Sequence, residues 1–372
     1  MITTEAIRRE FPALEGKCYL NTAAEGIPPA SVGRALQEYW DDKQLGMDGR
    51  DAHFAKEAEA KTRAARLLGL QPDEIGFCSC SAEAYNLLAT ALRLAVGDEV
   101  IVSDIDFPSG FTPWLAQEPR PVLRLWKSRN GAPDLADLPE LLTPRTRLVQ
   151  VSLVSFYNGW RMDWEPFIRL VREKAPAAVV SVDLTQALGR CVLDCTGADI
   201  MISSTHKWIL GIHGGCIVGV PSRSAARLTT AAGGWYHLRN AFDADRFERL
   251  EKKPGAASFG VGMPSFAPIY ALNAGMEFLL ATGVPAIAAH ADPLVRAFHE
   301  GLVTRGLMPL APLSGSGIVA FKHADSARLN EALRAGGVHI MHQAGRLRIA
   351  VHGYNTPADA ARFFEVLDAI AP

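Results

Sequence analysis

Lys207 lies in an unusual setting for a lysine. It is the only Asp, Glu, Lys or Arg between Ile200 and Ser222, where a strand-like apolar run precedes it and glycines follow it. Lysines are normally solvated, and an unpaired buried ammonium is costly unless its charge is removed. Because a buried lysine loses its proton readily, it becomes a nucleophile that can form a Schiff base with an aldehyde. This pattern favours a lysine that binds an aldehyde cofactor over an ordinary surface lysine.

Asp183 is isolated in the same way, 24 residues before that lysine. It is the only charged side chain between Lys174 and Arg190, and it follows the apolar run 178–182. Taken alone, Asp183 is better explained as a helix N-cap, since an Asp after a strand can bond the first free amides of a helix. Beside a reactive lysine, however, a carboxylate at a strand end can keep a pyridine nitrogen protonated and make the ring an electron sink.

The segments around these two residues predict an α/β sheet. From residue 75 onward, short apolar runs alternate with amphipathic helices, which indicates βαβ units and a mostly parallel sheet covered on both faces. Ligands of such sheets bind at the carboxyl ends of the strands, where Asp183 and Lys207 fall. We expect strands at Ile75–Cys78, Glu99–Ser103, Val122–Leu125, Leu148–Val151, Ala178–Val182, Ile200–Ser203 and Gly215–Val220.

The alternation weakens after residue 220, which indicates a second unit. A loop-rich stretch over 232–264 leads to two long helices, and a smaller α+β segment closes the chain. In that segment we expect strands near 318–321 and 346–351 and helices near 325–335 and 357–370. The predicted division is an N-terminal segment over 1–14, a large cofactor-binding domain over 15–265 and a small C-terminal domain over 266–372, with the N-terminal segment packed on the small domain.

Composition excludes several classes of protein. With 372 residues, 48% of them hydrophobic, the chain can bury a large core, so neither disorder nor a disulfide-stapled miniprotein fits. A net charge of −2 gives no reason to expect nucleic acid or an anionic membrane as a partner, and six scattered cysteines suit a reduced, cytoplasmic protein.

The uncharged stretch 256–276 is broken by Gly and Pro and predicts a buried irregular loop leading into a helix, not a membrane span. The first seventeen residues carry charges throughout, so we expect no signal peptide.

Several motifs together resemble one enzyme family. Val182–Gly189 followed by Ser203–Lys207 resembles the cofactor site of the class V aminotransferases, the fold-type I pyridoxal 5′-phosphate group that also holds cysteine desulfurases, kynureninases and isopenicillin epimerase-like proteins. Tyr19–Ala24, Ser79–Asn86 and Arg346–Thr356 resemble the family's N-terminal loop, phosphate-binding turn and substrate-arginine strand. The resemblance covers most of the chain. It implies a fold-type I transferase with a mostly parallel, seven-stranded sheet flanked by helices and a smaller α+β C-terminal domain.

The resemblance implies roles around the ring of pyridoxal 5′-phosphate. Lys207 is expected to form the Schiff base, Asp183 to pair with the pyridine nitrogen and Gln186 to bond the 3′-oxygen. Phe107 falls where the family stacks a ring on the cofactor face, although an ordinary core aromatic is nearly as good an explanation. Ser155 is a weaker candidate for the 3′-oxygen side.

The resemblance also implies a phosphate site. Ser81 and the amide of Ala82 are expected to hold the phosphate at a helix N-terminus, where free amides and the helix dipole favour an anion. Ser204 and His206 are expected to complete that site. A plain N-cap at Ser81 and a packing role for His206 are the alternatives.

Two arginines alternate with apolar residues along the predicted strand 346–351. Arg346 and Arg348 face the same side of it, because side chains alternate across a strand. The resemblance favours Arg348 as the partner of a substrate α-carboxylate, which arginine binds through a bidentate fork. One of the two arginines is then free to be a solvated charge at the edge.

The sequence departs from the family at two places. Desulfurases carry a sulfur-accepting cysteine in a loop before the substrate arginine, but 338–346 has none, which favours the epimerase-like and kynureninase-like branch over a true desulfurase. Met263 stands where the family usually has a threonine that reaches the partner subunit's phosphate, and Ser265 is the candidate substitute.

A homodimer is expected from the resemblance alone. Two short cysteine pairs lack a matching histidine pair, so no metal site is expected.

The family implies an enzyme that acts on an amino acid or related amine, and we expect an aminotransferase. A racemase or epimerase and a carbon–sulfur lyase are the closest alternatives, because all three begin with loss of the proton at Cα. A non-catalytic pyridoxal phosphate-binding protein is the alternative from a different class. The second acid–base group remains open among Tyr19, Tyr157, His213, Tyr236, His237, His339, His342 and His352.

Overall fold

The computed structural model describes residues 4–370. Its helices are α1 (Thr4–Glu10), α2 (Ala30–Gln44), α3 (Arg50–Leu68), α4 (Ser81–Leu92), α5 (Thr112–Ala116), α6 (Leu138–Leu141), α7 (Trp164–Lys174), α8 (Phe266–Thr282), α9 (Val284–Val303), α10 (Ser326–Ala335) and α11 (Pro357–Ile370). Its strands are β1 (Cys18–Tyr19), β2 (Ile75–Cys78), β3 (Glu99–Ser103), β4 (Val122–Trp126), β5 (Ser128–Arg129), β6 (Ala132–Pro133), β7 (Thr146–Ser152), β8 (Val179–Asp183), β9 (Ile200–Ser204), β10 (Cys216–Gly219), β11 (Ile318–Lys322), β12 (Val338–His339), β13 (Met341–Gln343) and β14 (Arg346–Ala350).

The large sheet has seven strands in the order β2-β10-β9-β8-β7-β3-β4. Neighbouring strands are parallel except at β10, which runs antiparallel to both β2 and β9. β8 and β9 are buried at every position, as expected for apolar strands with both faces covered. The predicted α/β architecture is therefore confirmed.

The ends of the strands bring the candidate residues to one edge of this sheet. Cys216, the first residue of β10, pairs with Cys78 at the end of β2 and with Ser204 at the end of β9. On the other side of β9, Asp183 ends β8 and pairs with Ser152, which ends β7. The start of α4, the loop that carries Lys207 and the Asp183 side chain therefore share the carboxyl edge of the sheet.

Each face of the large sheet packs against its own helices. Val180 and Val182 of β8 belong to a core cluster with residues of α3, α7 and α8, whereas Val179 belongs to a cluster with residues of α4. This is the two-residue alternation of a strand between two layers. α8 packs on α2 and α3 and contributes Ile269 and Leu272 to the core of the large sheet.

The C-terminal part has a core of its own. β11, β14 and β13 form an antiparallel sheet, whose buried residues cluster with those of α9, α10 and α11. β1 pairs in parallel with β12, which attaches the chain just after the predicted N-terminal segment to this part, whereas Phe11 packs in the large core. The division into domains at residue 265 stays a prediction. α8 lies after this predicted boundary, but it packs with the core of the large sheet.

The uncharged stretch 256–276 begins in a short 3-10 helix, Gly255–Ser258, and continues through irregular backbone until α8 begins at Phe266. Among residues 4–370, no single helix combines the length and apolar composition needed to cross a membrane. α8 and α9, bent by 77° where they meet, pass that test only as a pair and only by length and composition.

Candidate active site

Lys207 follows β9 at the carboxyl edge of the sheet. Within residues 4–370 its Nζ has no hydrogen-bond or ion-pair partner, and it lies 5.4 Å from the centroid of the Phe107 ring. Burial lowers the pKa of this amine to about 8; the charge of Asp183 opposes this shift, and that of Arg348 adds to it. At pH 7 this pKa leaves about a tenth of the amine neutral, far more than for a solvated lysine, and the neutral form is the nucleophile.

Asp183 is held by two donors. The amide of Thr185 donates to Oδ1 at 2.7 Å, and the hydroxyl of Tyr85 donates to Oδ2 at 2.8 Å. Residues 185–190 form turns and not a helix, so the alternative of a helix N-cap is wrong. Each carboxylate oxygen keeps a second acceptor site, so Asp183 can accept a further donor such as a protonated ring nitrogen.

α4 begins at Ser81 with an open N-terminus. Cys80, its N-cap residue, makes no side-chain capping bond, and Glu83 bonds the amide and hydroxyl of Ser79, each at 2.6 Å. Within the described chain the amides of Ser81 and Ala82 therefore have no side-chain acceptor. Together with the helix dipole, they offer a site for an anion.

His206 and Ser204 lie at the same edge as this helix end, one strand away across β10. Burial lowers the pKa of His206 to about 4, and the charges of Lys207 and His213 add to the effect. The neutral imidazole can donate one N–H to an anion. An anion bound between the α4 end and this loop would therefore meet backbone amides on one side and an imidazole on the other.

Glu25, His206 and His213 form a cluster whose donor atoms lie within 4.8 Å of one another. The two imidazole rings stack, with centroids 4.1 Å apart and planes at 20°, and Nε2 of His213 lies 3.0 Å from Oε1 of Glu25. In the described structure the two rings form a stacked pair, of which His213 bonds the Glu25 carboxylate.

The loop over residues 19–26 packs against the Lys207 segment. The amide of Gly26 donates to the carbonyl of His206 at 2.9 Å, and a Cβ at Gly26 would lie 1.9 Å from the carbonyl oxygen of Lys207, so only glycine fits. Gln186 donates to the carbonyl of Ala23 at 3.0 Å and accepts from the indole of Trp208 at 2.7 Å. Gln186 thus anchors this loop and keeps one N–H for a bound group.

Phe107 and Ser155 follow β3 and β7 at the same edge. The Phe107 ring is 41% exposed and meets Phe156 edge to face at 5.0 Å, so the core-aromatic alternative is wrong. The buried Ser155 hydroxyl donates to the carbonyl of Ile105 at 2.9 Å and accepts from the amide of Tyr157 at 3.1 Å. Its single proton is used within the protein, so its predicted contact with the 3′-oxygen requires Ser155 to act as acceptor or to leave Ile105.

Both arginines of β14 are 4% exposed, so the alternative of a solvated edge charge is wrong. Arg346 donates to the carbonyl of Tyr157 and lies over its ring at 4.2 Å. Arg348 donates to the carbonyl of Phe156 at 2.6 Å, and its buried Nε has no partner in the described chain. Burial lowers the pKa of Arg348 to about 9, with the charge of Arg346 adding to the shift. A buried guanidinium without a carboxylate partner suits an anionic substrate group.

The eight tyrosine and histidine candidates for the second acid–base group differ in their surroundings. His352 is buried against Trp208, and burial lowers its pKa to about 3. Tyr19 donates to the carbonyl of Glu25 at 2.8 Å, and His213 bonds the Glu25 carboxylate. Tyr19 and His213 therefore both join the loop that contacts the Lys207 segment, whereas Tyr236 bonds Glu57.

Sequence reasoning missed Tyr85 and Glu25. Tyr85 lies within the predicted phosphate-binding motif, four residues after Ser81, and this spacing places both on one face of α4. That spacing was the available signal, but a tyrosine in an apolar helix is usually a core residue. Nothing in the sequence links Glu25 to His213, because 188 residues separate them.

The two departures from the family pattern have structural counterparts. Residues 338–346 contain β12, β13 and a tight turn with positive φ at Ala344 and Gly345, so they form short strands without a long loop. Met263, 41% exposed, and Ser265 line a cavity of about 440 Å³ that also reaches Ser79 and Gly214. This cavity adjoins the open end of α4.

The chemistry of these groups fits pyridoxal 5′-phosphate. An unpaired amine suits the aldehyde, a buried carboxylate suits the ring nitrogen, and an uncapped helix N-terminus suits the phosphate. The exposed face of an aromatic ring beside the amine suits a planar ring. The residues present therefore match the aldehyde, the ring nitrogen, the phosphate and the flat face of this cofactor.

Comparisons with known proteins agree with this arrangement. The family model "Aminotransferase class-V" matches residues 18–359. The uncharacterized aminotransferase YcbU of Bacillus subtilis is 25% identical over 357 residues, which cover 95% of this chain and 94% of that protein. The fold is similar to that of the cysteine desulfurase CsdA of Escherichia coli, with a TM-score of 0.88 at 22% identity and coverage of 99% and 98% of the two chains. It is also similar to that of the cystine C–S lyase C-DES, solved with its product cysteine persulfide, with a TM-score of 0.86 at 19% identity and coverage of 96% and 99%.

Proposed function

Because the chain belongs to the class V aminotransferase family, and is thus a fold-type I pyridoxal 5′-phosphate enzyme acting on an amino acid or related amine, we propose that it is an aminotransferase whose cofactor lysine is Lys207. One observation carries the assignment of the lysine. Its amine has no partner among residues 4–370, and its pKa responds to a buried carboxylate, Asp183, and to a buried guanidinium, Arg348. Asp183 suits the ring of the cofactor, and Arg348 suits the carboxylate of the substrate.

The proposed binding roles follow from the contacts of each side chain. Ser81 and the amide of Ala82 hold the phosphate at the start of α4, with Ser204 and His206 on its other side. Asp183 accepts a hydrogen bond from the protonated ring nitrogen, Gln186 donates its free N–H to the 3′-oxygen, and Phe107 covers one face of the ring. Ser155 is the weaker contact of the 3′-oxygen, for the reason given above.

The proposed catalytic roles belong to Lys207 and Arg348. Arg348 holds the substrate carboxylate through two parallel N–H donors, which fixes the orientation of Cα. Nζ of Lys207 takes the proton from Cα as a general base. When bound, pyridoxal phosphate supplies the electron sink for the charge left at Cα, provided that its ring nitrogen is protonated.

The pH dependence of cofactor uptake follows from the same lysine. Only the neutral amine attacks an aldehyde, and the pKa of Lys207 is lowered to about 8. We therefore expect the uptake rate of the apoenzyme to rise about tenfold per pH unit below that pKa and to level off above it. Stopped-flow absorbance after mixing apoenzyme with pyridoxal phosphate measures this rate. A rate that keeps rising through about pH 10 would indicate an ordinary solvated lysine.

An amino-acid panel tests the reaction type. The holoenzyme is incubated with each amino acid, first alone and then with a keto-acid acceptor. We expect stable conversion to the pyridoxamine form without the acceptor and recovery of the original spectrum with it. Entry of solvent deuterium at Cα in D₂O, with the original spectrum retained, would favour a racemase or epimerase. Release of pyruvate or ammonia without an acceptor would favour a carbon–sulfur lyase.

Two observations bear on the alternatives. The short strands at 338–346 carry no thiol, which argues against a desulfurase that forms a persulfide on a mobile loop. The unpaired guanidinium of Arg348 argues against a protein that only binds the cofactor, because cofactor binding does not require it. A holoenzyme that shows no spectral change with any amino acid would favour that non-catalytic alternative.

The proposed assembly is a cytoplasmic homodimer. The cavity beside α4 is lined by Met263 and Ser265, from the segment where the family has a threonine that reaches the partner's phosphate. In this chain, Ser265 is the residue of that segment that can donate a hydroxyl. Sedimentation analysis of the holoenzyme tests the dimer.

A further inference from the structure

Tyr85 lies beneath Asp183 and has no role in the function proposed above. It is fully buried on α4, and its hydroxyl donates to Oδ2 of Asp183 at 2.8 Å. Nε2 of Gln150 lies 3.4 Å from the same hydroxyl and donates to it. With its acceptor position occupied by Gln150, the hydroxyl directs its own proton towards the carboxylate.

This hydrogen bond stabilises charge at a place where charge is costly. Asp183 is 7% exposed, and the hydrogen-bond donors to its carboxylate among residues 4–370 are the Thr185 amide and the Tyr85 hydroxyl. A second buried carboxylate, Asp106, lies close enough to interact with it unfavourably. Burial raises the pKa of Tyr85 well above its usual range, and the charge of Asp183 adds to the shift, so the phenol stays protonated and remains a donor.

We propose that Tyr85 is a positioning residue that holds Asp183 as a carboxylate and so keeps the shared proton on the cofactor's ring nitrogen. The inference rests on the proposed function, in which Asp183 faces that nitrogen. A donor on Oδ2 stabilises the negative charge of the carboxylate, which favours the proton on nitrogen over the proton on oxygen. Because Ser81 and Tyr85 share one face of α4, the same helix then serves both the phosphate and the ring nitrogen of the cofactor.

Tyr85→Phe tests this proposal with little change of shape. The holoenzyme is prepared with pyridoxal phosphate labelled with ¹⁵N in the ring, and its ¹⁵N chemical shift reports directly whether that nitrogen is protonated. We expect the shift of the variant to move from the pyridinium value towards that of neutral pyridine. We also expect kcat to fall about tenfold to a hundredfold with KM little changed, the loss typical of one hydrogen bond to a charged group.

Tyr270→Phe is the matched control. Tyr270 is also buried, and its hydroxyl donates to a carboxylate oxygen, Oδ2 of Asp42, at 2.6 Å, away from the site. This variant should lose comparable stability while keeping the ¹⁵N shift and kcat of the parent. If Tyr85→Phe does not fold, 3-fluorotyrosine at position 85 replaces it; this stronger donor should leave the nitrogen protonated at a pH where the parent begins to lose that proton.

Asp183→Asn separates failure of this inference from failure of the proposed function. If the shift changes in Asp183→Asn but not in Tyr85→Phe, Asp183 faces the nitrogen and the role of Tyr85 is wrong. If neither variant changes it while the cofactor remains bound to Lys207, the assignment of Asp183 is wrong, and the inference fails with it.

Discussion

Replacing Lys207 with alanine is expected to lower kcat by a factor of about 10⁴ or more. The change removes the covalent attachment of the cofactor and the base that acts at Cα, and a general base alone contributes about 10²–10⁴-fold. The variant should still bind pyridoxal phosphate non-covalently, because the open end of α4 is unchanged. Steady-state turnover with the best amino acid of the panel measures the loss, and added methylamine should restore part of it.

Lys252→Ala is the matched control for this prediction. Burial also lowers the pKa of Lys252, whose Nζ donates to the carbonyl of Thr230 at 3.0 Å, outside the site. Its removal should leave kcat near that of the parent. Equal losses in the two variants would show that the effect of Lys207→Ala is a general loss of structure, and full activity of Lys207→Ala would exclude Lys207 as the base.

Replacing Arg348 with alanine is expected to lower kcat/KM by about a hundredfold or more, mainly through KM. A charged, hydrogen-bonded pair that loses one buried partner typically loses about 2–5 kcal/mol. Arg348→Lys should recover little of this, because a lysine is a single point charge and cannot form the bidentate fork. Initial rates over a range of substrate concentrations separate KM from kcat.

Arg346 provides the comparison within the same strand. It is buried to the same 4% exposure, but its guanidinium lies over the ring of Tyr157 and donates to the Tyr157 carbonyl. Arg346→Ala should therefore lower the free energy of unfolding and leave KM little changed. If Arg346→Ala raises KM a hundredfold and Arg348→Ala does not, the substrate carboxylate binds Arg346.

Much of the fold could be predicted because its elements are short and periodic. The apolar run before Asp183 and the run before Lys207 both became buried strands, β8 and β9, with bounds within a residue or two of those expected. The direction of β10 could not be predicted, because strand direction depends on how the chain crosses the sheet and not on local pattern. The packing of α8 on the large sheet was missed for a similar reason, since an apolar helix can serve either core.

The site could be predicted only where the chemistry depends on residue type. A lone lysine and a lone aspartate in apolar surroundings stand out in a sequence. The contact of Tyr85 with Asp183 does not, because it joins residues 98 positions apart. The burial of both β14 arginines could not be predicted from the sequence either. Alternation along a strand gives the side that a residue faces but not what covers that side.

Borohydride reduction of the holoenzyme followed by peptide mapping tests most directly whether Lys207 carries the cofactor. A reduced adduct on Lys207 blocks tryptic cleavage there, so we predict a single modified peptide that runs from Cys191 to Arg223. The same digest of unreduced protein should show normal cleavage after Lys207. An adduct on any other lysine, or no adduct on a protein that holds the cofactor, would contradict the account.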